Sequence, residues 1–194
     1  MQKQILLCVL CSTLLFGSEN AITTQKIETW KLAAHQGDAE AAFNLGNIYA
    51  NGLGVSQNYT EAEKWFRLAA VQGNIKAQSS LGMMFYTGKG LTQDYPEAVK
   101  WFRLAANQGD AKAQNDIGFA YESGHGVSKN NDEALKWYKL AAEQGYAEAQ
   151  CNLGKMYFLE GDYQEAMRWF RRASAQGLVK AKTILYHMQK HNYN

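Results

Sequence analysis

A 36-residue spacing recurs along this chain of 194 residues, and it constrains the fold more than any other feature. The dipeptide Gln-Gly ends at Gly37, Gly73, Gly109, Gly145 and Gly177, so the intervals are 36, 36, 36 and 32 residues. A tryptophan and a second glycine follow the same rhythm, at Trp65, Trp101, Trp137 and Trp169 and at Gly46, Gly82, Gly118 and Gly154. Repeats of this length predict a solenoid of stacked, similar units.

Each repeat has the pattern of two helices. In the first helix, Ala41, Leu45 and Ile48 fall on one side, at the spacing of an amphipathic helix. The glycine of this helix, Gly46, costs about 1 kcal/mol relative to alanine. Because it recurs in every repeat, we expect a neighbouring helix to approach it too closely for a side chain. The second helix mixes large and small apolar residues around Trp65, which suits interdigitated packing.

Capping residues mark where the helices begin. An Asn or Asp precedes a Glu by three residues at the start of each second helix, the spacing of a capping box. These pairs are Asn58 and Glu61, Asp94 and Glu97, Asn130 and Glu133, and Asp162 and Glu165. Asp38, Asn74 and Asp110 are predicted to cap first helices. Tyr146 and Leu178 replace them later in the chain, so we expect the last two starts to be less firmly held.

These patterns predict an all-α fold of ten helices. We place the solenoid at residues 27–190, with four repeats and a flanking helix at each end. The segments are a partial unit at 27–37, repeats at 38–73, 74–109, 110–145 and 146–177, a capping helix at 178–190 and a tail at 191–194. The fourth repeat lacks four residues in the loop between its helices, which carries Gly-x-Gly in the other three.

The first seventeen residues are typical of a secretory signal peptide. Lys3 precedes an apolar run at residues 5–16, and Gly17 follows it. Residues 18–26 are interpreted as a linker. The run is too short to span a bilayer, so we predict an exported chain, periplasmic or secreted, with no integral membrane segment after cleavage. The alternative is that this segment is a buried N-terminal helix.

Composition argues against several functions. The 20 Lys and Arg nearly balance the 18 Asp and Glu, giving a net charge of +2, which argues against a nucleic-acid partner. Cys8 and Cys11 lie inside the apolar run, so cleavage leaves Cys151, which cannot form an internal disulfide. His187 and His191 lack a third ligand, and we expect no metal and no cofactor.

Basic residues form two rows along the second helices. One consists of Lys31, Arg67, Arg103, Lys139 and Arg171, and the other of Lys64, Lys100, Lys136 and Arg168. A docking ridge for an anionic surface is one interpretation. We favour a solvated face, because glutamates stand three residues before the cations of the second row.

The repeat resembles a known family. The pattern Ala-x-x-x-Leu-Gly-x-x-Tyr, then Gly-x-Gly-Val, then Glu-Ala-x-x-Trp-Phe-x-x-Ala-Ala-x-Gln-Gly is similar to the Sel-1-like repeat, a relative of the tetratricopeptide repeat. This resemblance covers residues 27–190. It implies a right-handed superhelix of antiparallel helix pairs that acts as a non-catalytic scaffold or adaptor for other proteins.

The resemblance also raises an enzymatic alternative. Some exported, cysteine-rich relatives are described as penicillin-binding proteins or weak β-lactamases. This chain lacks their paired cysteines, and it lacks the Ser-x-x-Lys, Ser-Asp-Asn and Lys-Thr-Gly motifs of β-lactam enzymes. We therefore predict no catalytic residues, with β-lactam binding or weak hydrolysis as the alternative.

The predicted binding site is a groove on the concave side of the first helices. Solenoids often bind partners on this surface, and in tetratricopeptide arrays the first helices line it. Residues on this side vary between repeats, and their aromatic, Met and Asn side chains would suit a protein or peptide. The candidates are Phe43, Asn47, Asn51, Ser79, Met83, Tyr86, Thr87, Asn115, Phe119, Glu122, Ser123, Lys155 and Phe158. The alternative is that Phe43, Phe119 and Phe158 pack adjacent repeats together.

Two uses of such a scaffold remain open. The chain would serve envelope or secretion machinery in a bacterial periplasm, or it would be secreted to engage a host protein. The groove residues report the chemistry of a partner and not its identity, and the oligomeric state is not predicted.

Overall fold

The computed structural model describes residues 24–191 and residue 193, and this part of the chain contains ten helices and no strand. The helices are α1 (Thr24–His35), α2 (Ala39–Asn51), α3 (Tyr59–Val71), α4 (Ile75–Thr87), α5 (Tyr95–Asn107), α6 (Ala111–Ser123), α7 (Asn131–Glu143), α8 (Ala147–Glu160), α9 (Tyr163–Ala175) and α10 (Val179–Lys190). The predicted all-α solenoid is confirmed. Helix α1 begins inside the predicted linker, and the predicted signal peptide lies outside the described residues.

The helices stack in sequence order. Each helix packs against the next one along the chain, so the four pairs are α2 with α3, α4 with α5, α6 with α7, and α8 with α9. The first helices of adjacent pairs also contact each other, α2 with α4 and α6 with α8. The first helices therefore share one side of the solenoid, and residues at equivalent positions in successive repeats become neighbours there.

The glycines inside the first helices allow close helix packing, as the sequence predicted. A Cβ atom built on Gly46 would lie 2.4 Å from the Phe66 ring of the paired helix, and one on Gly118 would lie 2.7 Å from the Tyr138 ring. Phe66 and Tyr138 are buried at 3% and 0% exposure. In both pairs an aromatic ring of the second helix therefore packs against the glycine of the first helix.

The predicted caps are present. Asp38 accepts hydrogen bonds from the backbone N–H groups of Glu40 and Ala41, and Asn58 accepts one from Glu61. The corresponding bonds form at Asn74, Asp94, Asp110, Asn130 and Asp162. Tyr146 and Leu178 make no side-chain capping bond, so α8 and α10 begin without this stabilisation.

Buried glutamines join neighbouring repeats. Gln114 in α6 donates to the carbonyl of Ala106 at 3.2 Å and accepts from Gln144 at 2.7 Å. Gln144 is the first residue of a Gln-Gly pair. Equivalent bonds join Gln108 to Gln78 at 2.8 Å and Gln176 to Gln150 at 2.9 Å. The glutamine of the Gln-Gly turn therefore satisfies a buried amide in the preceding first helix.

Candidate binding surface

The structure places the thirteen predicted groove residues in three environments. Asn51, Thr87, Phe119 and Lys155 are exposed. The half-buried members are Phe43, Asn47, Met83, Tyr86, Glu122, Ser123 and Phe158. Ser79 and Asn115 are buried, at 7% and 8% exposure. The residues do not form one uniform open surface.

Ser79 and Asn115 are therefore unsuited to contact a partner. The Ser79 hydroxyl donates to Asp110 Oδ1 at 3.2 Å, and Asp110 is the capping residue of the next first helix. Asn115 accepts from Asn152 Nδ2 at 2.9 Å. Both side chains join adjacent repeats, because their positions on the helix face the following pair rather than solvent.

Three other candidate residues make contacts with neighbouring side chains of the solenoid. Phe43 packs on Phe66, with ring centroids 5.8 Å apart. The ring centroids of Phe158 and Tyr163 are 5.2 Å apart. Glu122 accepts a 2.5 Å hydrogen bond from the Tyr138 hydroxyl. Burial and this bond raise the pKa of Tyr138, so its hydroxyl remains a proton donor.

A central aromatic cluster lies on the side of the first helices, and it consists of Tyr86, Tyr95, Phe102, Phe119 and His125. The ring centroid of Tyr86 lies 5.0 Å from that of Tyr95. It lies 6.4 Å from the ring centroids of both Phe102 and Phe119. Its hydroxyl is hydrogen-bonded to His125 Nδ1 at 2.8 Å. Phe119 remains 42% exposed, so the cluster presents an aromatic face to solvent.

The loop between α6 and α7 brings His125 into this cluster. The imidazole ring stacks on Tyr95, with centroids 4.5 Å apart and an interplanar angle of 11°. The next residue, Gly126, has φ +75° and touches the chain at Tyr95: a Cβ there would lie 2.4 Å from the Tyr95 carbonyl oxygen. The close approach of this loop needs a glycine, and it fixes the position of the imidazole.

A small pocket opens beside Asp116 next to the central aromatic cluster. Its volume is about 40 Å³, and it is lined by Met83, Tyr86, Phe102, Asp116 and Phe119. The Asp116 side chain is 17% exposed. Burial is the main cause that raises the pKa of this carboxyl group above its usual range, and the charge of Lys112 opposes the shift.

A larger apolar pocket lies between α8 and the C-terminal helix. It has a volume of about 390 Å³. Lys155 and Phe158 from the predicted groove line it together with Leu159, Phe170, Ile184, His187, Met188, His191 and Tyr193. His187 and His191 therefore border a cavity. No group of three or more His, Cys, Asp or Glu side chains that could hold a metal occurs in residues 24–191 and 193.

Four members of the central site were not predicted from the sequence: Tyr95, Phe102, Asp116 and His125. A comparison of equivalent repeat positions could have identified Asp116. The residues that correspond to it are Asn44, Ser80 and Asn152, all uncharged. His125 lies between two loop glycines, and nothing in the sequence indicates that the loop folds back onto the preceding repeat.

The second basic row is a solvated face, as we favoured. Lys64, Lys100 and Lys136 each pair with the glutamate three residues earlier, at N–O distances of 2.6, 2.8 and 2.5 Å. Arg168 pairs with Glu165 at 3.0 Å. In each lysine pair the hydrogen bond to glutamate raises the lysine pKa, so these cations are already compensated.

Comparison with known proteins identifies the family. The Sel1 repeat model matches residues 39–74, 75–110 and 111–146, which is more than half of the chain, and the tetratricopeptide repeat model matches 147–176. The chain belongs to the Sel1 repeat family. The shorter fourth unit is the one that matches the tetratricopeptide model, in keeping with its missing loop residues.

Solved structures support the assignment. A Sel1 repeat protein from Oxalobacter formigenes is 37% identical over 84% of this chain and 66% of its own, with a TM-score of 0.77. A protective antigen present in uropathogenic Escherichia coli strains, displaying an SLR fold, is 38% identical over 86% of this chain and 36% of its own, with a TM-score of 0.81. This chain thus spans less than two thirds of both relatives.

A cysteine-rich relative shares the fold alone. Helicobacter pylori cysteine rich protein B is 19% identical over 66% of this Sel1 repeat chain and 95% of its own, with a TM-score of 0.51. No curated protein matches the sequence significantly. Cys151, the one cysteine among the described residues, is buried and unpaired, and burial raises the pKa of its thiol.

Proposed function

We propose that this Sel1 repeat protein is a non-catalytic scaffold that binds a protein or peptide along the side formed by its first helices. The exposure of Phe119 carries the proposal. This aromatic side chain is 42% exposed beside Met83 and Tyr86, although a buried position would stabilise the fold more. Exposed aromatic and Met side chains grouped on one face are typical of interaction surfaces.

The chemistry of this face supports a polypeptide partner. Its central part offers aromatic rings and a methionine. Asn47 and Asn51 lie at corresponding positions of α2, and Thr87 lies on α4 next to Tyr86. Apolar anchors flanked by hydrogen-bonding groups suit an extended chain or a helix. The net charge of +2 gives no massed positive surface for a nucleic acid.

Capture of a partner from an envelope extract of the source cells tests the proposal. The wild type is compared with a Met83→Ala/Phe119→Ala variant by crosslinking and mass spectrometry. Alanine favours helix, so the backbone should be retained while the exposed apolar contact is lost. We expect recovery of the partner to fall at least about tenfold, because central apolar anchors contribute about 2 kcal/mol or more each when they are hot spots.

A matched control distinguishes this surface from general stickiness. Leu104 and Leu140 are 47% and 48% exposed on second helices, so Leu104→Ala/Leu140→Ala removes similar apolar area elsewhere. The control should capture the same protein as the wild type. Equal capture by the Met83→Ala/Phe119→Ala variant, or equal loss in the control, would show that the first helices are not the binding face.

We also propose that the protein is exported. The pattern of residues 1–17 supports this proposal. None of the helices that the structure describes is long and apolar enough to span a membrane. The identity of the captured partner then decides between a periplasmic role in the envelope and a secreted role toward a host.

A further inference from the structure

The Asp116 carboxylate lacks the partners that a buried charge requires. Its Oδ2 atom is buried and has no hydrogen-bond partner in the described part of the chain. Oδ1 accepts from Asn115 Nδ2 at a long 3.4 Å, and the nearest cation, Lys112 Nζ, lies 3.7 Å from Oδ2. A buried carboxylate without close donors lowers stability. The fold therefore compensates this charge only weakly, through one long i,i+4 ion pair with Lys112.

The repeat itself does not require this charge. Asn152, at the equivalent position of the next repeat, is uncharged and bonds to Asn115. Asn44 and Ser80 occupy the position in the first and second repeats. An asparagine would therefore fit the third repeat, and the carboxylate there points to a ligand.

The walls of the pocket fit a cation. Met83, Tyr86, Phe102 and Phe119 surround the space beside the carboxylate, and aromatic rings attract cations at their faces. The volume of about 40 Å³ accommodates a group of the size of an ammonium ion. The compact ammonium group of lysine needs less room than the planar fork of a guanidinium group. Phe119, exposed at the mouth, would contact the methylene stem of an incoming side chain.

We propose that the pocket beside Asp116 binds the lysine side chain of a polypeptide partner lying along the first helices. The ammonium group forms a charge-assisted hydrogen bond to the Asp116 carboxylate, whose side chain is 17% exposed and lines the pocket. The proposal rests on the proposed function and specifies the chemistry of its partner. Lys112, whose side chain is 48% exposed, provides a weak internal cation that the ligand must displace.

An NMR titration of the full chain tests this proposal. The probes are Nα-acetyl-lysine N-methylamide and its uncharged counterpart, Nα-acetyl-norleucine N-methylamide. We expect the lysine probe to shift the resonances of Asp116, Met83 and Phe119 saturably, and the norleucine probe to bind more weakly. Asp116→Asn should weaken binding of the lysine probe about tenfold or more, since hydrogen bonds to charged groups are among the strongest. Asp132→Asn, an exposed change of the same type on α7, should have no effect.

Two further measurements separate a ligand role from a structural one. If the only role of Asp116 were to stabilise the fold, Asp116→Asn would lower the midpoint of urea unfolding at neutral pH. We expect the midpoint to stay or rise, because burial disfavours the ionised carboxylate in the folded state and the variant removes that penalty. Lys112→Ala removes the competing cation, so it should strengthen binding of the lysine probe.

The outcomes distinguish this proposal from the broader one. No saturable shift with the lysine probe, or equal shifts in the wild type and Asp116→Asn, would overturn the lysine pocket. Equal shifts with the norleucine probe would show an apolar pocket without cation selectivity. Either result leaves the binding face intact if Met83→Ala/Phe119→Ala still loses the captured partner. If the lysine probe gives no saturable shift and Met83→Ala/Phe119→Ala still captures the partner, the binding face is rejected as well.

Discussion

Replacement of Phe102 by alanine should lower the free energy of unfolding by about 3–5 kcal/mol, the range for large buried aromatics. Phe102 is 1% exposed and lies between the Gly82 backbone and Tyr86. Its loss leaves a cavity that the rigid helix pair cannot close. Urea unfolding followed by circular dichroism measures the change. Leu104→Ala, an exposed substitution on the same helix, should cost less than about 1 kcal/mol.

The effect of a substitution at Gly82 should depend on whether the Phe102 ring is present. In the wild type, Gly82→Ala should destabilise, because its Cβ would lie 2.6 Å from Phe102. In the Phe102→Ala background the ring is absent, and the same change should stabilise by up to about 1 kcal/mol through helix propensity. The gain is reduced by the Ala98 carbonyl oxygen, which lies 3.2 Å from the built Cβ. A double-mutant cycle reads this reversal directly. If Gly82→Ala changes the free energy of unfolding equally in the wild type and in the Phe102→Ala background, the glycine is not required for close packing of the Phe102 ring.

The second large effect is expected at Gly126. Gly126→Ala should lower the free energy of unfolding by about 2–4 kcal/mol, the sum of left-handed strain and overpacking. The residue has φ +75°, and a Cβ there would lie 2.4 Å from backbone atoms of Tyr95. Backbone cannot move aside as a side chain can. Urea unfolding of the variant measures the loss.

A matched glycine separates the two causes. Gly145 has φ +91° and no atom within 4 Å of a built Cβ. Gly145→Ala therefore suffers the conformational strain alone, and we expect a loss of about 1–2 kcal/mol. Equal losses at Gly126 and Gly145 would contradict the close contact of the loop with α5. Because this contact positions His125, Gly126→Ala should also broaden or shift the His125 ring resonances, whereas Gly145→Ala should not.

The fold could be predicted from the sequence because its determinants are local and repeated. The 36-residue period, the caps at residues such as Asp38 and Asn58, and the apolar spacing in α2 all act within one unit. Four copies of the same signal reinforce one another. The sequence also indicated that Gly46 faces a close neighbour, but not that the neighbour is the ring of Phe66. The buried Gln114–Gln144 bond was missed, since it joins side chains 30 residues apart at opposite ends of one repeat.

The site could be predicted less well, because it depends on how adjacent repeats meet. Helical periodicity placed Ser79 and Asn115 on the same face as Met83 and Phe119, although the first two are covered by the next repeat. The packing that covers them is a property of two adjacent repeats and not of one helix. His125 could not be assigned, since a loop that folds back onto the preceding repeat leaves no periodic signal.

Asp116 could have been identified by comparing the repeats with one another, although helical periodicity within one repeat did not identify it. A charge where the other repeats have Asn or Ser departs from the pattern that the fold requires. In a repeat protein each unit is a reference for the others, so such departures identify candidates for function. The same comparison finds nothing unusual in the second basic row, whose cations recur in every repeat and pair with glutamates.

Site-specific photo-crosslinking tests the binding face most directly. Benzoylphenylalanine replaces Phe119, which is 42% exposed, in one variant and Leu140, which is 48% exposed, in another. Each variant is irradiated in the envelope extract. We expect a crosslink from position 119 to one partner, at a segment that contains a lysine, and none to that partner from position 140. A partner crosslinked from position 140 and not from 119 would contradict the assignment of the binding face to the first helices.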